Sequence, residues 1–269
     1  DGDGGPGPTG WHTVLEAPWT IDAQPEAYLC VRKTMDRDVY VSGFRALAPN
    51  GTHHTVLTVG NPSAPDGAEP CNSFENHRSM MFGSGVGTST FEMPDGVAVK
   101  VRAGQQLLLN LHLFNVGESE LSGVSGTEIL ELPASAVEHE AEAVLMGPVQ
   151  FSIPPGNQTV SGSCTSPVSG TVFAVFPHMH YLGTHMKVDV AATGSSTTIH
   201  DGPYDFEAQE IYPVTPLDFA SGDRVEITCS YVNTTDGTVS FGESSEAEMC
   251  FAGVFYYPAQ NQPYLCTDF

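Results

Sequence analysis

The chain has 269 residues, long enough for two domains of ordinary size, each with its own core. Nine Lys and Arg stand against 32 Asp and Glu, and the net charge of −23 sets nucleic acid and anionic membranes aside as partners while favouring cationic solutes. Only 15% of residues are charged, and no apolar run reaches the ~18 residues of a membrane-spanning helix.

Residues 1–9, Asp-Gly-Asp-Gly-Gly-Pro-Gly-Pro-Thr, read as a flexible tail. Beyond it, short apolar runs alternate with turn residues, and Leu/Ala/Glu/Lys periodic segments are absent, which predicts an all-β fold. Strands are expected at Tyr28–Lys33, Val39–Ala46 and His54–Val59. A Gly/Pro/Ser-rich loop then carries Cys71 and His77. Further strands are expected near Val97–Arg102, Leu107–Phe114 and Glu128–Leu132. The stretch from Met146-Gly147-Pro148 to Pro154-Pro155-Gly156 is the best boundary, giving domains of 10–147 and 148–269. Strands in the second are expected at Val172–Phe176, Met186–Ala192, Val225–Tyr231 and Phe251–Tyr257.

Six cysteines, Cys30, Cys71, Cys164, Cys229, Cys250 and Cys266, form no C-x-x-C pair, so a zinc knuckle or thioredoxin-type site is not expected. Their even count and wide spacing suit three disulfides in an oxidising compartment, secreted or periplasmic. Pairing within domains gives Cys30–Cys71 and leaves the other four open. The chain opens at Asp1 without Met, which reads as a mature or trimmed product. Asn50, Asn157 and Asn233 each begin an Asn-x-Thr sequon.

The histidines carry the chemistry. The run Gly170–Val175 reads as a strand leading into Phe176-Pro177-His178-Met179-His180-Tyr181-Leu182-Gly183. Side chains two apart on a strand share a face, so His178 and His180 project together, a natural part of a metal site. His53 and His54 follow an Asn50-Gly51 turn. Adjacent residues of a regular strand face opposite ways, so both can serve one metal only where the strand begins or bulges. His112 sits in a Leu-rich strand, where a lone histidine is ordinarily a hydrogen-bonded core residue; paired with His53 and His54 it becomes a candidate third ligand. Met249 next to Cys250 would ordinarily fill the core. With His178 and His180 it makes a His-His-Met set, whose soft thioether suits copper, Cu(I) especially, and suits zinc poorly. His77 and His185 are candidate supporting groups, and His12, His139 and His200 are expected at the surface.

These residues, in this order, resemble the copper type II ascorbate-dependent monooxygenases. The likeness covers most of residues 28–266. It rests on Gly43-Phe44, His53-His54, His112 in its strand, His178–Gly183, and Gly242–Cys250 with Tyr256-Tyr257. The resemblance implies two jelly-roll-like antiparallel β-sandwiches and two copper ions. His53, His54 and His112 would hold the electron-transfer copper. His178, His180 and Met249 would hold the copper at which dioxygen and substrate react. It also implies the disulfides Cys30–Cys71, Cys164–Cys266 and Cys229–Cys250. The implied activity is hydroxylation of a C–H bond with dioxygen and a reductant such as ascorbate. The same fold could carry a copper-binding protein without turnover. Where peptide-hydroxylating members have Arg, Asn and Tyr, this chain has Phe176, Phe251 and Gly253. An apolar wall with one gap is expected there, with a small apolar or cationic molecule as substrate.

Overall fold

The structure, a computed structural model, describes residues 10–267 except residues 24, 74, 78, 86, 193, 243, 245, 263 and 264; the expected tail at residues 1–9 lies outside the described residues. It is built of antiparallel sheets in sandwich-like layers, with no α-helix among the described residues. It divides into two compact units, Asp1–Glu142 and Ala143–Phe269.

In the first unit, one sheet runs in the order Gly10–Ile21, Leu121–Glu131, Val39–Leu47, Val97–Val101, His139–Glu140. The other runs Ser79–Ser84, Thr52–Gly60, Gln106–Phe114, Glu26–Thr34, Gly67–Pro70. Phe44 of the first sheet stacks on Phe82 of the second with centroids 5.2 Å apart, and both side chains are fully buried. Gln106–Phe114 lies inside its sheet and is buried at all but its last residue. That explains a continuous Leu-rich run where a half-exposed strand would alternate.

In the second unit, Tyr212–Phe219, Gly170–His178, Phe251–Tyr257 and Glu142–Met146 form one sheet. Gly156–Thr165, Arg224–Asn233, Gly183–Ala192 and Ser195–Pro203 form the other. Arg224–Asn233 alternates cleanly, sending Val225, Ile227, Cys229 and Tyr231 into a core with Val175, Val188, Ala252 and Val254. The three disulfides are Cys30–Cys71, Cys164–Cys266 and Cys229–Cys250, with Cα separations of 5.7, 5.6 and 5.9 Å. No helix among the described residues is long and apolar enough to cross a membrane.

Several strands go beyond the sequence expectation. Gly10–Ile21 contains Pro18, which reads as a break but is tolerated because this strand is the edge of its sheet. Ser195–Pro203 is polar and exposed over most of its length, an edge strand with no buried face to advertise.

Candidate metal centres

The first cluster is written by sheet register. Thr52 pairs with Leu113 but His54 pairs with His112, so the ladder shifts by one residue at His53. This bulge frees His53 from the alternation that would have turned it away from His54. Gly51, at φ +99°, opens the strand, and a Cβ there would lie 2.7 Å from Leu121 Cδ2 and Trp19 Cη2. The three Nδ1 atoms then meet: His53 to His54 at 3.2 Å, His53 to His112 at 3.0 Å, His112 to His54 at 3.2 Å.

On its far side, His112 Nε2 lies 2.5 Å from Glu26 Oε1. A carboxylate accepts, so the ring proton sits on Nε2 and His112 Nδ1 presents a lone pair to the cluster. The Tyr28 ring stacks on His112 at 4.5 Å and 4°. Three imidazole nitrogens this close, one of them with no proton to give, suit a cation better than mutual hydrogen bonds; the set accepts copper or zinc.

The second cluster forms where a strand runs out. Gly170–His178 pairs with Phe251–Tyr257, with Phe176 opposite Gly253 and His178 opposite Phe251. His180 and Met249 lie just beyond the ends of these two strands, two residues past His178 and two before Phe251. The His178 and His180 rings stand 5.4 Å apart at 84°. His178 Nδ1–H donates to Gln209 Oε1 at 2.9 Å, and His180 Nδ1–H donates to the Ala247 carbonyl at 2.9 Å. Both rings thereby offer Nε2 as the lone pair. Burial holds His178 below the ordinary histidine value, partly opposed by its bond to Gln209, so the ring is neutral and able to ligate.

Glu248 ties this cluster together. Its carboxylate, fully buried, accepts the backbone N–H of His180 at 2.9 Å, of Leu182 at 2.7 Å and of Met249 at 3.2 Å. Burial pushes its pKa up to about 7 against the opposing pull of these three bonds. Tyr231 Oη donates to the Met249 carbonyl at 2.7 Å, and Tyr204 Oη donates to the Met179 carbonyl at 2.5 Å. Met179 belongs to the hydrophobic core, and Gly183 makes room for it, since a Cβ there would meet Met179 Cβ at 2.7 Å. Met249 is buried too, yet stands outside that core cluster.

The remaining sequence candidates fall elsewhere. Phe176 and Phe251 are both buried, and the gap expected at Gly253 is covered: a Cβ there would lie 3.2 Å from Phe176 Cβ. His77 packs beside Gly60, six residues along the strand from His54 and so about 20 Å from the cluster, too far to support it. His185 pairs with Asp201 at 3.1 Å across a strand pair, not with either histidine of the second cluster. His200, expected at the surface, is half-buried against Tyr212, with ring centroids 4.8 Å apart. Glu26, Gln209 and Glu248 are the supporting groups that sequence reasoning did not single out.

Residues 139–268 match the family model for the C-terminal domain of the copper type II ascorbate-dependent monooxygenases. That match and the relatives below support a place for the chain in the copper type II ascorbate-dependent monooxygenase family. Human putative DBH-like monooxygenase protein 2 is 25% identical over 238 residues, covering 78% of this chain and 47% of the relative. DBH-like monooxygenase protein 1 of Mus musculus is 27% identical over 239 residues, covering 77% and 37%; that of Gallus gallus is 27% identical over 235 residues, also covering 77% and 37%. The chain therefore spans less than half the length of these curated relatives. Among solved structures, allantoicase overlaps 93% of this chain and 91% of its own at 11% identity, with a TM-score of 0.28, too low to speak for a shared fold.

Proposed function

We propose that this protein is a dicopper monooxygenase that hydroxylates a C–H bond of a small molecule, apolar or cationic, using dioxygen and a reductant such as ascorbate. The observation that carries this reading is the matched preparation of two histidine clusters. At the first, three Nδ1 atoms lie within 3.2 Å of one another. At the second, two rings 5.4 Å apart have Nδ1 tied back, which leaves each Nε2 to ligate. His53, His54 and His112 would hold one copper, and His178, His180 and Met249 the other. The family description, copper type II and ascorbate-dependent, supports the choice of metal and reductant.

Copper, when bound, supplies one-electron chemistry and the activation of dioxygen. The chain supplies the rest. Three imidazoles form a set with no soft ligand, suited to cycling between Cu(II) and Cu(I). Met249 would make the second set softer and favour Cu(I) there. The reaction would consume dioxygen, two electrons and two protons, put one oxygen atom into the C–H bond and release the other as water. Phe176 and Phe251 offer no charged group to grip a peptide carboxylate, which supports a non-peptide substrate. The net charge of −23 would concentrate cationic solutes near the protein.

Metal analysis of copper-reconstituted, dialysed protein is expected to give two coppers per chain. Oxygen uptake with ascorbate and a panel of small amines and apolar molecules is expected to exceed the uptake without substrate. Two coppers without substrate-dependent uptake would instead mark a copper-binding protein, and one copper or none would end the two-centre reading.

A further inference from the structure

The two clusters differ in what stands behind their rings. At the second, both Nδ1–H groups donate to neutral carbonyl oxygens, those of Gln209 and Ala247. Glu248 bonds only backbone N–H groups there, not a ring nitrogen. At the first, His112 Nε2–H donates to a carboxylate, Glu26 Oε1, at 2.5 Å. The His112 side chain is fully buried, whereas the Glu26 side chain is 38% exposed. Glu26 opens the strand Glu26–Thr34, and Tyr28, two residues on, is the cross-strand partner of His112. Tyr28 Oη donates to the same carboxylate oxygen at 3.4 Å while its ring lies flat on the imidazole. The carboxylate is thus aimed at one ring of one cluster by regular strand geometry.

We infer that Glu26 is a positioning residue that biases the tris-histidine centre toward the more highly charged state of its metal. The inference rests on the proposed copper ligation by His53, His54 and His112. A carboxylate on the remote nitrogen fixes the tautomer, orients the ring and makes the ligating nitrogen more basic. Its negative charge reaches the metal through one imidazole, so it stabilises Cu(II) more than Cu(I). A centre so biased is a better electron donor. The neutral acceptors behind His178 and His180, with the Met249 thioether, lack that bias.

The test uses the full chain in a His178→Ala, His180→Ala background, which leaves the tris-histidine centre as the one under study. Cu(II) and Cu(I) affinities are measured separately by competition with chelators for each state, and the midpoint potential by redox titration of the Cu(II) signal. Glu26→Gln keeps an oxygen acceptor and removes the charge; Glu26→Ala removes both. Glu26→Gln is expected to lower Cu(II) affinity by about tenfold or more while Cu(I) affinity changes by less than about threefold. The potential should rise by up to ~59 mV for each tenfold change in the ratio of the two affinities. Glu26→Ala should lose affinity for both states as well, because the ring is no longer oriented. Equal losses for Cu(II) and Cu(I) in Glu26→Gln, with an unmoved potential, would overturn the inference, as would affinities matching the parent. Failure of the parent itself to bind copper would be a different result, overturning the proposed ligand set. Because Glu26 is partly exposed at a strand end, unchanged urea midpoints are expected to show that both variants fold.

Discussion

At His53, His54 and His112 the sheet itself supplies the geometry, whereas at His178 and His180 the sheet ends and other groups take over. The first cluster needs one bulge and one cross-strand pair, His54 opposite His112. The second relies on a buried carboxylate, two tyrosine hydroxyls, a glutamine from a loop and a disulfide beside Met249. A ladder fixes a side chain through many weak, repeated bonds. A strand end needs a few strong ones, each of which matters more singly. Perturbations should therefore be graded differently at the two places.

The largest effect is expected at the Cys229–Cys250 bridge, which spans a sequence separation of 21. Replacing both cysteines with alanine should lower stability by about 2–5 kcal/mol in urea unfolding. Metal analysis should then find the second copper lost and the first kept. Loss of both coppers together would erase the distinction between the two modes of support.

Next comes Glu248. Its pKa rises from 4.5 to about 7 on folding, so between those values the folded state binds a proton that the unfolded state has released. Stability therefore falls as pH rises across that window and is flat above it. The drop should be up to about 3 kcal/mol for apoprotein, taken as wild type minus Glu248→Gln. An upward or level difference curve would show that the three N–H bonds outweigh burial.

A smaller effect is expected at Gly51. Alanine there must accept φ +99° and a 2.7 Å approach to Leu121 and Trp19. The cost should be about 1–3 kcal/mol by thermal or urea unfolding, with weaker copper binding at the first cluster only. Smallest of all is Tyr28→Phe, which keeps the stack on His112 and loses one 3.4 Å hydrogen bond at an exposed carboxylate. Stability should change by less than about 0.5 kcal/mol. A larger loss would mean that Tyr28 holds Glu26 in place.

Much of the first cluster was legible because its signals are local: an Asn-Gly turn, two histidines, and a third in a run of leucines. Even the requirement for a bulge followed from strand alternation. Glu26 was not legible, because it lies 86 residues from its partner and is one of 32 acidic residues. Gln209 likewise reaches His178 from a polar loop with no period of its own. Strands with a buried face announced themselves, as Val225–Tyr231 did. Edge strands such as Gly10–Ile21 and Ser195–Pro203 did not, since propensity and patterning speak only where one face meets a core.

Under the proposed copper ligation, the bridge next to Met249 would also set an order of maturation. Before it closes, Cys229 and Cys250 are thiols, and a thiolate is a stronger soft ligand for Cu(I) than a thioether. Copper arriving at that stage would meet a competing thiol in Cys250, one residue from the proposed ligand Met249. Oxidation of the pair would remove this competitor and leave Met249 as the soft donor in the proposed set. The chain should therefore be oxidised first and metallated second, and a compartment that offers copper before it offers an oxidant would yield protein with its metal bound and misplaced.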